Sequence, residues 1–242
     1  MSDELACVLR LFKVKSCCNL TDDAFQQIMV AVNGGIVNLY RVKKTLKSIV
    51  PLEPTWVDMC INSCQAYTGK YQNHNECDIC QMPRFHNQKR IPRRQMAYFS
   101  ITDRLKIQYK DPKRSENLRY RANYTHHHDS DIKIRDIFDG TNYKKLVSKG
   151  FFQDDRDVAL TGSVDGYQIF RQKTDDCWIV LMINANICPE ECVKKENLMV
   201  TAIIPSPKEP KNFNSFMYPI IQNLKELEGN ILLYCLIISI WY

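Results

Sequence analysis

The chain has 242 residues, 45% of them hydrophobic, enough for one sizeable core or two small ones, which argues against disorder throughout. Its net charge of +6 is unevenly spread: Lys89 to Tyr124 carries eleven Lys and Arg against Asp103, Asp111 and Glu116, a local field that attracts polyanions and nucleic acid above all. Eleven cysteines would suit a secreted disulfide scaffold, but Asp3, Glu4, Arg10, Lys13 and Lys15 break up any secretory signal, so the thiols are expected to be reduced and the protein not secreted.

The first fifty residues read as helices. Thr21-Asp22-Asp23 is a start signal before Ala24 to Val32, Asn33-Gly34-Gly35 is a stop, and a basic amphipathic run follows through Leu39, Val42 and Leu46. Pro51 and Pro54 end that unit, giving a helical region over 1–55.

Residues 56–88 hold two cysteine pairs, with turn signals at Thr68-Gly69 and Asn73 to Asn75. Cys60-x3-Cys64, twelve residues, then Cys77-x2-Cys80 is the spacing of a structural zinc site, because two close pairs brought together by a loop supply four sulfurs in a tetrahedron. Four protein ligands leave no open position for water, so a catalytic zinc is not expected. Buried free thiols are the competing reading. His74 and His86 read as exposed loop residues, and Cys188-x3-Cys192 as a lone structural pair.

Pro92 to Tyr124 reads as helix in two pieces interrupted at Asp111-Pro112, within a basic connector and loop over 89–135. Arg90, Arg93, Arg94, Arg104, Lys106, Lys110, Lys113 and Arg114 are candidate DNA contacts, interleaved with Tyr98, Phe99 and Tyr109. A solvated helix face, or a nuclear import signal in Lys89 to Arg94, explains the same residues about as well. Thr125 to Asp131, with His126, His127 and His128, reads as a loop between domains, since adjacent histidines on a loop do not converge on one ion.

Past a short helix at Tyr143 to Lys149, the pattern changes to strands at Asp157 to Phe170, Cys177 to Ile187 and Leu198 to Ile204, with a polar turn at Lys173 to Asp176. Ser215 to Leu227 then has helical spacing. The apolar run Ile231 to Tyr242 is shorter than the roughly 20 residues a bilayer-spanning helix needs, and it has no polar cap, as though an element were interrupted.

From Ser163-Val164-Asp165-Gly166-Tyr167-Gln168-Ile169-Phe170 onward the sequence resembles the CACTA-type (En/Spm-like) DNA transposases. Cys177-Trp178, Asn184-Ala185-Asn186, Lys195-Glu196-Asn197-Leu198, Ile203-Ile204-Pro205 and Ser215-Phe216 continue the likeness. Upstream it includes Trp56-Val57-Asp58, the cysteine pairs with Ala66 to Lys70 between them, Leu118 to Ala122 and Asp136 to Gly140, so that residues 56 to 229 are covered in order.

The resemblance implies an RNase H-like catalytic domain over 136–242, DNA transposon ends as partner, a nuclear location and metal-assisted strand cleavage and transfer. By position Asp165 matches the first catalytic carboxylate, although an Asp-Gly pair is also a common turn. Second and third carboxylates are missing: Ile231 to Tyr242 has no Asp or Glu, and Asn212 and Asn214 stand where an acidic residue is expected. Magnesium therefore enters only with an intact set of carboxylates.

The expectation is an α+β protein: N-terminal helices, a four-cysteine zinc ribbon, and an incomplete RNase H-like unit of three strands plus a helix. Its expected function is transposase-like DNA binding without catalysis, with a non-enzymatic zinc-dependent DNA- or protein-binding module, or a transposon relic, as alternatives. Self-association is left open.

Overall fold

The computed structural model describes residues 3–33, 38–50, 52–86, 89–124, 134–168, 176–206, 209–230 and 233–240. The chain forms two compact units, Met1–Glu53 and Pro54–Tyr242.

The first unit has three helices, α1 (Asp3–Cys17), α2 (Asp22–Asn33) and α3 (Leu39–Ile49). Phe25, Met29 and Val42 are its buried core, with Phe12 edge-on to Phe25 at 6.1 Å between ring centroids. The start signal read at Thr21 acts as such, and Asn38, which was not read as one, caps α3 in the same way. The Thr21 hydroxyl accepts the Ala24 amide at 3.1 Å, and the Asn38 side chain accepts the Arg41 amide at 2.9 Å, which satisfies donors that a helix leaves orphaned. Asp22, in the first turn of α2, also pairs with Lys15 and Lys43, each at 2.9 Å.

The second unit is mixed helix and sheet. Its elements are β1 (Thr55–Asp58), β2 (Phe85–His86), β3 (Ile91–Pro92), β4 (Gln95–Tyr98), α4 (Ile101–Lys110), α5 (Pro112–Asn117), α6 (Tyr120–Asn123), α7 (Thr141–Ser148), β5 (Val158–Gln168), β6 (Asp176–Asn184), α8 (Pro189–Cys192), β7 (Met199–Pro205), α9 (Phe213–Asn230) and β8 (Leu233–Ile240). Six strands form one sheet in the order β1-β4-β7-β6-β5-β8, and β2 and β3 form a separate short hairpin. All neighbours in the large sheet are antiparallel except β5 and β8, whose parallel register runs from Val158↔Leu233 to Val164↔Ile240. A parallel return requires a crossover, which α9 supplies between β7 and β8.

The sheet thus exceeds the three strands expected. The apolar tail adds one, β1 leading into the cysteine turns adds another, and β4, in the basic connector, adds a third. Gln95–Tyr98 falls inside the stretch read as helix from Pro92. It is a strand because Met96 and Ala97 are buried between β1 and β7, where sheet pairing overrides local helical periodicity. The helix begins only at Ile101, where the side chains of Ser100 and, from α9, Asn223 accept its first free amides. The expected break at Asp111-Pro112 is present, with Asp111 capping α5. Of the expected turn at Lys173 to Asp176, Asp176 already belongs to β6, while residues 173–175 and the histidines at 126–128 lie outside the described residues.

One face of the sheet packs on α4 and α9 through Leu105, Val158, Leu160, Val164, Val180, Met182, Ala202, Met217, Ile220 and Leu227. Alternate residues of a strand face opposite sides, so Ala159 turns away and joins Phe138, Tyr143, Phe152 and Ala185 on the other face. Asn186 pins this end of β5, donating to the Asp157 carbonyl at 2.8 Å and accepting the Ala159 amide at 2.9 Å.

Candidate metal centre

The two cysteine pairs sit on tight turns that follow β1 and precede β2. In the first, Cys60 donates its amide to the Gln65 carbonyl and Ser63 donates back to Cys60, both at 2.8 Å; in the second, Gln81 donates to Cys77 at 2.7 Å. Ser63 and Gln81 take left-handed backbone conformations, φ 58 and φ 56, which close each turn around its sulfurs.

The ligand atoms of Cys60, Cys64, Cys77 and Cys80 all lie within 4.8 Å of one another, and Cys60 and Cys80 approach to 3.4 Å. Four sulfurs at about 2.3 Å from a tetrahedral zinc lie about 3.8 Å apart, so the donor set matches such an ion in size and chemistry. Cys60, Cys64 and Cys77 are buried and Cys80 is partly exposed. Among the described residues this is the sole group of three or more His, Cys, Asp or Glu arranged to hold a metal.

Electrostatics set how such an ion would be held. Burial, then the neighbouring sulfurs, pushes the Cys64 thiol up to about 12, and burial pushes Cys77 up to about 11. Burial acts the same way on Cys80, but the Met82 amide together with Cys60, Asn62 and Cys77 outweighs it and brings that thiol down to about 7. Four thiols this close cannot all ionise without a cation among them.

The turns are braced from outside. Arg84 grips Asp58 of β1 with Nε at 2.8 Å and a terminal nitrogen at 2.6 Å, donates to the Gln72 carbonyl at 2.7 Å, and lies over the Tyr67 ring. On the other side the centre is tied to the start of α9. The Asn212 amide donates to the Cys64 carbonyl at 2.8 Å, the Ala66 amide to the Ser215 hydroxyl at 2.8 Å, and the Thr68 hydroxyl to the Ser215 carbonyl at 2.5 Å. Gly69, at φ +52, lies so close to Tyr218 that an added Cβ would come within 2.8 Å of the ring.

The sequence offered no sign of Arg84, Asp58, Thr68, Asn212 or Ser215 in these roles, since each partner is distant along the chain or unremarkable in type. Asn212 stands where an acid was expected. Its amide holds the cysteine turn, and its side chain donates to the Tyr71 hydroxyl at 3.0 Å.

The basic candidates divide. Arg90, Lys106, Lys110 and Lys113 are exposed. Arg93 is half-buried, and its amide donates to the Arg84 carbonyl at 2.9 Å. Arg94 donates to the Ile61 carbonyl beside the first turn at 2.9 Å. Arg104 lies over Phe99 and reaches the Val200 carbonyl at 3.4 Å, and Arg114 holds Glu196 and Asn197 at 2.9 and 2.7 Å.

Asp165 lies exposed on β5, opposite Ile179 of β6 and one residue beyond the last pair that β5 makes with β8. Gly166 beside it covers the Trp178 ring, its Cβ position 3.6 Å from the indole. Among the described residues Asp165 belongs to no metal-holding group.

No helix among the described residues is long and apolar enough to cross a membrane. No curated protein and no solved structure matches the chain. Residues 131–232, which carry α7, β5, β6, β7, α9 and Asp165, match the model of the transposase family tnp2, so that this stretch of the chain is similar to a transposase family.

Proposed function

We propose that the protein is a transposase-like DNA-binding protein of a mobile element, of the CACTA type, acting in the nucleus. The observation that carries this reading is the family match over 131–232, within which Asp165 lies on β5, between β6 and the edge strand β8. Support for an RNase H-like unit comes from the strand order β7-β6-β5-β8, three antiparallel strands followed by a helical crossover to a strand parallel to the first.

In this reading the four cysteines hold a structural zinc ion, which cross-links the turns after β1 to those before β2 and so fixes an edge of the same sheet. DNA meets the exposed cations Arg90, Lys106, Lys110 and Lys113, with Arg93 at their margin. Two divalent cations clamped by several carboxylates supply the chemistry of strand cleavage when present, and a lone carboxylate does not clamp them. Asp165 belongs to no such group among the described residues, and the reading taken is DNA binding without strand cleavage.

The test combines fluorescence anisotropy on duplex DNA with a nicking assay in magnesium. Salt-sensitive binding without nicking is the expected result. Magnesium-dependent nicking that disappears in Asp165→Ala would restore an enzyme reading, and absence of DNA binding at low salt would remove the transposase reading for this chain. The same zinc centre serving protein contacts alone is the second reading, favoured by the three arginines that bind their own chain.

A further inference from the structure

We propose that Cys60 and Cys80 are the site of a reversible disulfide that forms when a hydroperoxide reaches the cysteine centre, and that its formation expels the metal. Two observations select this pair from the six that four cysteines allow. Cys80 is the one partly exposed member, so an oxidant meets it first, and the Cys60 sulfur lies 3.4 Å from its own. Asn62 spans the two, its amide donating to the Cys60 sulfur at 3.4 Å and its side-chain nitrogen to the Cys80 sulfur at 3.6 Å. These donors stand ready to stabilise negative charge on either sulfur while bonds change.

The step balances as follows. The Cys80 sulfur attacks the hydroperoxide, the O–O bond breaks, and sulfenic acid forms on Cys80 while the peroxide leaves as an alcohol, or as water from hydrogen peroxide. The Cys60 sulfur then gives up its proton and attacks the Cys80 sulfur, the S–O bond breaks and water departs. Two thiols are oxidised by two electrons in all, and the peroxide is reduced by two.

Because the bridge joins one turn to the other, it replaces the cross-link the metal provides while removing two of its four ligands. A bridge within either pair, Cys60 to Cys64 or Cys77 to Cys80, would leave the two turns unconnected. The hydrogen bonds from the Asn212 amide to the Cys64 carbonyl and from the Thr68 hydroxyl to Ser215 of α9 involve neither oxidised residue, so the docked turns stay in place through the change.

Metal expulsion rests on the reading that the cysteines are metal ligands; bridge formation does not, and the experiment separates them. The full chain, zinc-loaded and metal-free in parallel, is exposed to limiting hydrogen peroxide, then alkylated and mapped by mass spectrometry, with zinc followed by a colorimetric chelator. The expected result in both samples is a peptide pair joined through Cys60 and Cys80 and a free-thiol titre lower by two. In the loaded sample zinc appears in step with the bridge, and dithiothreitol restores the thiols. A dominant Cys77–Cys80 or Cys60–Cys64 bridge, or sulfinic acid on Cys80 without any bridge, overturns the proposal. A chain that never takes up zinc refutes the metal reading, while the map of the metal-free sample still decides the disulfide.

Discussion

The Thr68 hydroxyl donates to the Ser215 carbonyl at 2.5 Å across 147 residues of sequence, and that carbonyl is available because Pro219, four residues further along α9, has no amide hydrogen to offer it. A proline that would weaken an isolated helix here opens an acceptor for the neighbouring module. Thr68→Val should lower stability by about 1–2 kcal/mol, the cost of a buried carbonyl left without a donor. Pro219→Ala restores the helix's own donor, so the double variant should lose less than the sum of the two single variants in urea unfolding.

Because this docking joins the cysteine turns to the sheet, metal removal should be felt throughout the second unit. Chelation should lower the melting temperature of residues 54–242 by ten degrees or more, on the order expected when a structural zinc site is emptied. The transition of residues 1–53, expressed separately, should not move. Residues 131–232 expressed alone lack β1, β4, α4 and β8, and should remain unfolded or aggregate, as circular dichroism and light scattering would show.

Metal uptake should release protons. In the metal-free chain burial pushes the Cys64 and Cys77 thiols up to about 12 and about 11, so both hold their protons at neutral pH and must give them up to bind. Calorimetry in two buffers of different ionisation enthalpy should show at least two protons released per zinc. The apparent affinity should fall at least about a thousandfold for each pH unit well below neutrality, where Cys80, brought down to about 7, adds a third competing proton. The sign for the metal-free fold is the reverse of that for a salt-bridged carboxylate. Folded-state thiols raised above their ordinary value of 9.0 lend stability that is intact below that value and lost as pH climbs through about 11 to 12.

The division among the basic residues gives a prediction on DNA affinity. Four exposed cations meeting phosphates would give a slope of log affinity against log salt of about −3.6, or roughly a hundredfold loss between 50 and 200 mM salt. Lys110→Ala and Lys113→Ala should each reduce the slope by about 1. Arg114→Ala, which removes donors to Glu196 and Asn197 on its own chain, should instead lower stability by about 1 kcal/mol and leave the slope largely unchanged.

Arg84 provides a further check. It and Asp58 are largely buried together, so Arg84→Met strands the carboxylate and should cost about 3 kcal/mol, whereas Arg93→Met on a half-exposed site should cost under 1.

What could be read in advance follows from how local each signal is. Cys60-x3-Cys64 and Cys77-x2-Cys80 declare themselves by spacing alone, and the helix spanning Ser215 to Leu227 by its period, because ligand turns and helical faces are built from residues near one another in sequence. Thr21 marked a helix start, and Asp111-Pro112 a break in the helix, for the same reason. Gln95–Tyr98 was misread because its strand identity comes from β1 and β7 on either side, and Tyr98 meets Ala202 more than a hundred residues on. Arg94, Arg104 and Arg114 counted as surface charge until carbonyls at Ile61, Val200 and Glu196 were seen to receive them. The tail beyond residue 232 showed its apolar character plainly, yet only pairing with Val158 to Val164 makes it a sheet strand.

In the proposed function one metal ion, held by four sulfurs, is part of the same folded unit as the sheet that carries Asp165. Elemental analysis of the purified, folded chain, expressed with zinc in the medium, tests it most directly. About one zinc per chain is expected, lost in the Cys77→Ser variant. A cooperatively folded chain that contains none would contradict it.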